Sequence, residues 1–221
     1  MKKSGARRSG GSPGEPAAAR SLPGEVRLIG GQWKRSKLPV ADRPGLRPTP
    51  DRVRETLFNW LGQDLSGWRV LDAFAGSGAL GFEAASRGAA EVLLLENDAA
   101  LVANLDKSRQ RLNATQLRVQ RTEAMGWMAS CPPARFELVL LDPPFQSPLG
   151  PVACATAARL VVDGGFVYLE GPRALVDPPP GLREHRRMRA GAVHAQLFVA
   201  YTAAALPAAA AGAAPQEGSA T

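Results

Sequence analysis

Residues Leu138–Leu141 form an unbroken apolar run, and the chain then reads Asp142-Pro143-Pro144-Phe145. An apolar run bounded by turn residues is the pattern of a strand buried on both faces, which points to a largely parallel sheet sheathed by helices. Neither proline carries a backbone N–H, so the ladder cannot continue past Asp142 and the chain must leave the sheet there. The Asp142 carboxylate, the Pro143 carbonyl and the Phe145 ring are therefore expected at a strand's C-terminal edge, where open α/β sheets bind ligands. Two acceptors beside an aromatic face suit a flat, amine-bearing ring such as a nucleobase. Asp-Pro and Pro-Pro are also ordinary turn dipeptides, so the motif alone admits a plain strand-to-loop turn.

Other apolar runs fit the same sheet. Strands are expected at Arg69–Phe74, Glu91–Leu95, Leu117–Arg121, Phe136–Leu141, Gly165–Glu170 and His194–Tyr201. Helical patterns over Ala79–Arg87 and Ala99–Leu112 fall between them. This alternation implies a parallel sheet covered on both faces. An earlier helix has its start signals at Thr49, read as the cap, Pro50 at the first helical position and Asp51 as an early carboxylate. Its apolar face is Val53, Leu57, Trp60 and Leu61, and its polar face Arg52, Arg54 and Glu55.

A glycine-rich turn follows the first of the sheet strands. Arg69–Leu80 passes from a short apolar strand through Asp72, Phe74, Gly76 and Gly78 into a helix. Both glycines let the backbone approach a ligand closely. With Gly81 the spelling is G-x-G-x-x-G, so a dinucleotide is one reading. Asp72, just before the turn, would put negative charge near a pyrophosphate and suits the positive sulfonium of S-adenosylmethionine better. Glu96, closing the next apolar run, can hold ribose hydroxyls of either cofactor.

Together these motifs resemble the class I S-adenosylmethionine-dependent methyltransferases. The chain is more closely similar to 16S ribosomal RNA guanine-N2 methyltransferases of the RsmD type. The stretches that carry the likeness are Gly30–Pro39, Gly45–Asn59, Asp72–Gly81 and Asp142–Phe145, within a span from about Val26 to about Tyr201. The resemblance implies an α/β, Rossmann-like fold. Its seven-stranded sheet is mostly parallel with an antiparallel last hairpin, has helices on both faces and carries a small N-terminal extension. It also implies S-adenosylmethionine held by Asp72, Phe74, Gly76, Gly78, Glu96 and Asp142, and catalysis by Asp142, Pro143 and Phe145. At the end of the third strand, relatives use an Asp or Asn to accept a hydrogen bond from adenine. Glu123, one methylene longer, takes that place here, with an exposed loop carboxylate as the alternative reading.

Composition sets the remaining bounds. Residues 1–54 hold 13 Lys/Arg against 4 Asp/Glu, although the whole chain is only +7. A basic excess confined to one segment is what phosphate contact requires. Lys34, Arg35, Arg47 and Arg52 are its candidate RNA contacts, while Lys2–Arg8 reads as a solubilising tail and Arg183–Arg189 as a solvated face. Residues 1–23 and 203–221 are expected to be disordered tails. They flank a methyltransferase domain over 24–202, divided into an RNA- and cofactor-flanking segment (24–62) and a cofactor-binding core (63–202). Cys131 and Cys154 give neither a disulfide framework nor metal spacing. The expected protein is a cytoplasmic monomer, free of membrane and metal, that meets 16S rRNA free or within a partly or fully assembled small subunit.

Rival readings are a DNA or other amino-group methyltransferase, a non-catalytic RNA-binding assembly factor and a NAD-dependent oxidoreductase. The basic segment weighs against the first and the intact Asp72, Gly76, Gly78, Glu96 and Asp142 against the second. Asp72, with no evident hydride-transfer residue, weighs against the third.

Overall fold

The computed structural model describes residues 24–41 and 49–201. Arg47 and the two tail segments lie outside them. Two short strands, β1 (Gly24–Arg27) and β2 (Lys37–Val40), form an antiparallel hairpin. Helix α1 (Asp51–Trp60) follows, then β3 (Arg69–Asp72), α2 (Ala79–Ser86), β4 (Glu91–Glu96), α3 (Ala99–Arg111) and β5 (Leu117–Arg121). The second half is α4 (Ala124–Ser130), β6 (Phe136–Leu141), α5 (Leu149–Ala158), β7 (Val161–Gly171), β8 (Leu182–Ala190) and β9 (Val193–Ala200).

Strands β3 to β9 make one seven-stranded sheet in the order β5-β4-β3-β6-β7-β9-β8. Its first five strands run parallel and β9 pairs antiparallel with both β7 and β8, as expected from the resemblance. From β3 the chain winds outward to β4 and β5, then returns to place β6 on the other side. The reversal opens a crevice between β3 and β6 at the strands' C-terminal ends.

Alternation along the strands sorts the core into two layers. Val70, Leu94, Leu138 and Leu140 meet Leu57 and Phe58 of α1, Leu80 and Phe82 of α2 and Leu105 of α3. Leu71, Leu95, Val139 and Leu141 meet Met128 of α4 and the small residues Ala153, Cys154 and Ala157 of α5. Both cysteines are buried free thiols.

Several elements differ from their sequence reading. Strand β7 starts at Val161, ahead of the expected Gly165, and carries Gly164 and Gly165 through a bulge against β6. Arg183–Arg189 lies in an edge strand; its outward charges hide the alternation, since only Leu182 of β8 is fully buried. The helix start is shifted by one: Pro50, extended at ψ 145°, stands at the cap with no side-chain bond, leaving Thr49 free for other work. Arg54 is not on a polar face. Its side chain is fully buried, and it bonds the backbone carbonyls of Thr49 and Arg27 and the Asp51 carboxylate.

Arg54 explains how the hairpin docks. Its guanidinium lies 3.5 Å from Glu83 of α2, and both side chains are fully buried. Glu83 also accepts from the backbone N–H groups of Ile29 and Gly30 at 2.8 Å each, and Arg87 completes its shell. A buried carboxylate persists only when paired and hydrogen-bonded. This pair therefore ties the hairpin, α1 and α2 into one body. Gly31 crosses Ser86 so closely, at φ +70°, that an added Cβ would fall 1.8 Å from the Ser86 carbonyl oxygen.

Candidate functional site

Four carboxylates stand at the C-terminal ends of neighbouring strands: Glu96 on β4, Asp72 on β3, Asp142 just past β6 and Glu170 on β7. Asp72 is in register with Leu94 and with Leu140, so Glu96 and Asp142 each lie two residues further along. Leu141 pairs with Leu169, which aligns Asp142 with Glu170. Strand parity puts all four on the face covered by α1 and α2.

Asp72 is buried; one oxygen accepts from Gly81 N at 2.9 Å and the other has no protein partner. Burial, reinforced by the charges of Asp142 and Glu96, pushes its carboxyl up to about 7. Burial likewise raises Asp142 to about 6, against a hydrogen bond that Thr49 Oγ1 donates at 3.3 Å. Glu170 is raised to about 8 by burial and then by the Asp142 charge, and accepts from Tyr168 Oη at 2.8 Å. Clustered buried acids with raised pKa values mark a place prepared for a cation or for proton transfer.

The glycine-rich turn is laced to these strand ends. Ala73 N bonds Leu140 O and Ala75 N bonds Leu95 O. Glu96 accepts from Gly76 N at 2.9 Å with one oxygen and from Asn97 N and Asp98 N with the other. Gly76 and Gly78 have φ of 53° and 78°, the left-handed region that glycine enters at little cost. Phe74 packs half-buried against the α4–α5 side of the core. An acid-lined turn with an unpaired buried oxygen fits a nucleotide that carries positive charge and disfavours a bare pyrophosphate.

Glu123 stands exposed two residues past the end of β5. It caps α4, its two oxygens accepting from Met125 N at 2.7 Å and Gly126 N at 2.6 Å. An Asp or Asn is the commoner cap, and the extra methylene is accommodated by using both oxygens.

The mouth is set by Asp142, Pro143 and Phe145. Asp142 is partly exposed, Pro143 buried and Phe145 40% exposed, an apolar ring held at the surface beside a carboxylate. Arg52 is exposed in the first turn of α1, close in sequence to the Thr49 that touches Asp142. Lys34 and Arg35 are not gathered there. Their turn joins β1 to β2 and is pinned by Trp33 N to Ser86 Oγ, at the far end of α2. With 8 residues in α2, that places them about 12 Å along the helix from the glycine turn.

Sequence reasoning missed Thr49, Arg54, Tyr168 and Glu170. Glu170 carried a legible signal, since it ends Phe166–Leu169 as Asp142 ends Leu138–Leu141. Thr49 did not, because its contact spans 93 residues.

Comparison with known proteins gives one family and close relatives. The family described as "Conserved hypothetical protein 95" matches residues 26–199. Ribosomal RNA small subunit methyltransferase D of Escherichia coli (strain K12) is 42% identical over 183 residues, covering 79% of this chain and 90% of the relative. The protein of the same name from Haemophilus influenzae is 46% identical over 126 residues, 56% of this chain and 65% of the relative. Among solved structures, the yhhF protein of Escherichia coli superposes with a TM-score of 0.73 at 40% identity, covering 80% of this chain and 99% of that one.

Proposed function

The chain belongs to the conserved hypothetical protein 95 family, with relatives named ribosomal RNA small subunit methyltransferase D, and on that premise we propose that it methylates the exocyclic N2 amine of a guanine in 16S rRNA. The observation that carries the reading is the juxtaposition of Asp142 and the exposed Phe145 with the acid-lined glycine turn of β3. When bound, S-adenosylmethionine supplies an electrophilic methyl group on a positively charged sulfonium.

Asp72, with its unpaired oxygen, and Asp142 offer that cation a negative setting. Glu96 holds the ribose side, while Gly76 and Gly78 keep the backbone close. Phe74 lines the turn, and Glu123 supports the adenine end by fixing the start of α4. Phe145 stacks on the target base, worth about 1–3 kcal/mol for bases held on aromatic side chains. A guanine amine shares its lone pair with the ring. Accepting its two hydrogens on the Asp142 carboxylate and the Pro143 carbonyl localises that pair for in-line attack. Positioning and fixed dipoles carry most of the acceleration, and Asp142 takes the proton released. Lys34, Arg35, Arg47 and Arg52 contact RNA phosphates, spreading the footprint from the mouth along the hairpin.

On this reading the protein acts as a monomer in the cytoplasm, on 16S rRNA either free or within a partly or fully assembled small subunit. No helix among the described residues is long and apolar enough to cross a membrane. The deciding assay is transfer of labelled methyl from S-adenosylmethionine to small-subunit RNA lacking the modification, offered free and as subunits. Wild type should yield N2-methylguanosine and Asp142→Ala none. No transfer to either acceptor, with cofactor binding intact, would remove the ribosomal substrate.

A further inference from the structure

The sheet face that carries the site runs on past it to the edge strand β8. Register carries one row of side chains across that face, from Phe166 of β7 through Val199 of β9 to Arg183 of β8. The next row towards the site is Tyr168, Leu197 and Arg186. Directly paired residues point to the same side of a sheet. Tyr168 and Leu197 are fully buried, whereas Phe166 and Val199 are half-buried. The cover over this face therefore stops between the two rows and leaves the outer one open to solvent.

Aromatic rings gather at the opening. Trp68, half-buried just ahead of β3, stacks on Phe166 with centroids 5.9 Å apart and planes 16° apart. His185 stands where β8 bulges against β9 and meets the Phe166 ring at 5.9 Å. It is itself exposed. Burial first, and then the Arg186 and Arg183 charges, hold its pKa below the ordinary histidine value, so near pH 7 it is a neutral ring.

The charges of β8 divide by face. Glu184 and Arg187 lie on the opposite side, in register with Phe198 and Gln196, and pair with each other at 3.3 Å. Arg183 and Arg186 lie on the ring side, both exposed, and no carboxylate among the described residues pairs with either. Arg186 donates to the His185 backbone carbonyl at 3.0 Å. Charge on an edge strand also blocks unwanted strand pairing. That task needs neither a row of rings nor cations left unpaired on one face. Unpaired guanidinium groups flanking aromatic rings match the phosphates and bases of an unstacked RNA strand.

We propose that β8, with Trp68, Phe166 and His185, is a second RNA-binding surface that holds phosphates on Arg183 and Arg186 and an unpaired base on the rings, beside the nucleotide being methylated. This rests on the rRNA methyltransferase reading above and extends it. Strand spacing puts Arg186 about 14 Å across the sheet from Asp142 and about 7 Å back along it, a distance that a short run of nucleotides spans. The hairpin with Lys34 and Arg35 docks on α2, which packs over β3 and β4. Strand β8 closes the opposite end of the sheet, so the RNA is held from both sides of the mouth.

The test reads RNA binding apart from turnover. Affinity for small-subunit RNA lacking the modification is measured by filter binding over a range of salt. Arg183→Ala/Arg186→Ala should bind about tenfold more weakly, and the slope of log affinity against log salt should fall by about 1.4, as for two single-strand phosphate contacts. His185→Ala should lose about fivefold or more, the low end for one base stacked on an aromatic side chain. Arg187→Ala, on the other face, should stay within about twofold of wild type. Ultraviolet cross-linking with mass spectrometry should place RNA on Arg183–Arg189. Should the double variant not fold, His185→Ala and the cross-link carry the test. Unchanged affinity and slope in the double variant, or no cross-link on β8, would overturn the proposal. A loss confined to assembled subunits, with free RNA bound as by wild type, would also overturn it and assign β8 to a subunit protein. A wild type that binds RNA through β8 but transfers no methyl would overturn the reaction instead and leave this surface standing.

Discussion

At the residue scale, the site separates groups that meet the substrate from groups that hold them. Asp142→Asn keeps the shape of the mouth but cannot accept the amine proton. It should lower kcat by about 10²–10⁴-fold, the range for a positioned general base, and weaken cofactor affinity measured by calorimetry far less, because Asp72 still faces the sulfonium. Glu123 tests the opposite case. Both of its oxygens cap α4, so Glu123→Ala should cost about 0.5–2 kcal/mol of stability in a denaturant titration. Cofactor affinity should fall less than about threefold. A loss beyond about tenfold, roughly 1.4 kcal/mol, would instead assign its carboxylate directly to the adenine.

At the scale of elements, the interest lies in how a hairpin of two four-residue strands becomes a fixed part of the site. Isolated hairpins are marginal in water, and this one is held through Arg54 and Glu83. Breaking a buried pair by deleting one partner strands the other charge and costs about 3–5 kcal/mol. Arg87 still pairs with Glu83 at 2.7 Å, so Arg54→Leu should lower stability by less than that amount in urea unfolding. It should also raise amide exchange at Ile29 and Gly30, whose N–H groups depend on Glu83. Unchanged exchange there would show that the hairpin is held by apolar packing alone.

At the scale of the whole molecule, the acids gathered at one sheet edge give the fold a pH signature. Asp72 is raised to about 7 and Glu170 to about 8, both by burial first. Each binds its proton more tightly folded than unfolded. Their contribution is thus fully present below the unfolded carboxyl value of about 4 and is lost as pH climbs through the folded values. The unfolding temperature of the cofactor-free protein should fall between about pH 5 and pH 8, and Asp72→Asn should flatten that slope. A flat wild-type profile would show that these acids are compensated in the empty site.

Much of this molecule was legible in its sequence because some physical rules act locally. Phe136–Leu141 occurs as read, since a buried strand declares itself by an apolar run with a hard stop, and the mostly exposed edge strand Leu117–Arg121 also keeps its expected bounds. Proline's missing N–H dictates that β6 stops at Leu141 and leaves Asp142 just past its end, and the glycines of the β3 turn announce a close backbone approach. The small hairpin, the charged edge strand β8 and the burial of Arg54 were hidden. Their residues look solvated until a distant partner covers them. Only the tertiary structure brought Thr49 to Asp142 and aligned Glu170 beside both, because hydrogen bonds and buried charges depend on distance in space. Neighbouring strand ends belong to residues far apart in the chain.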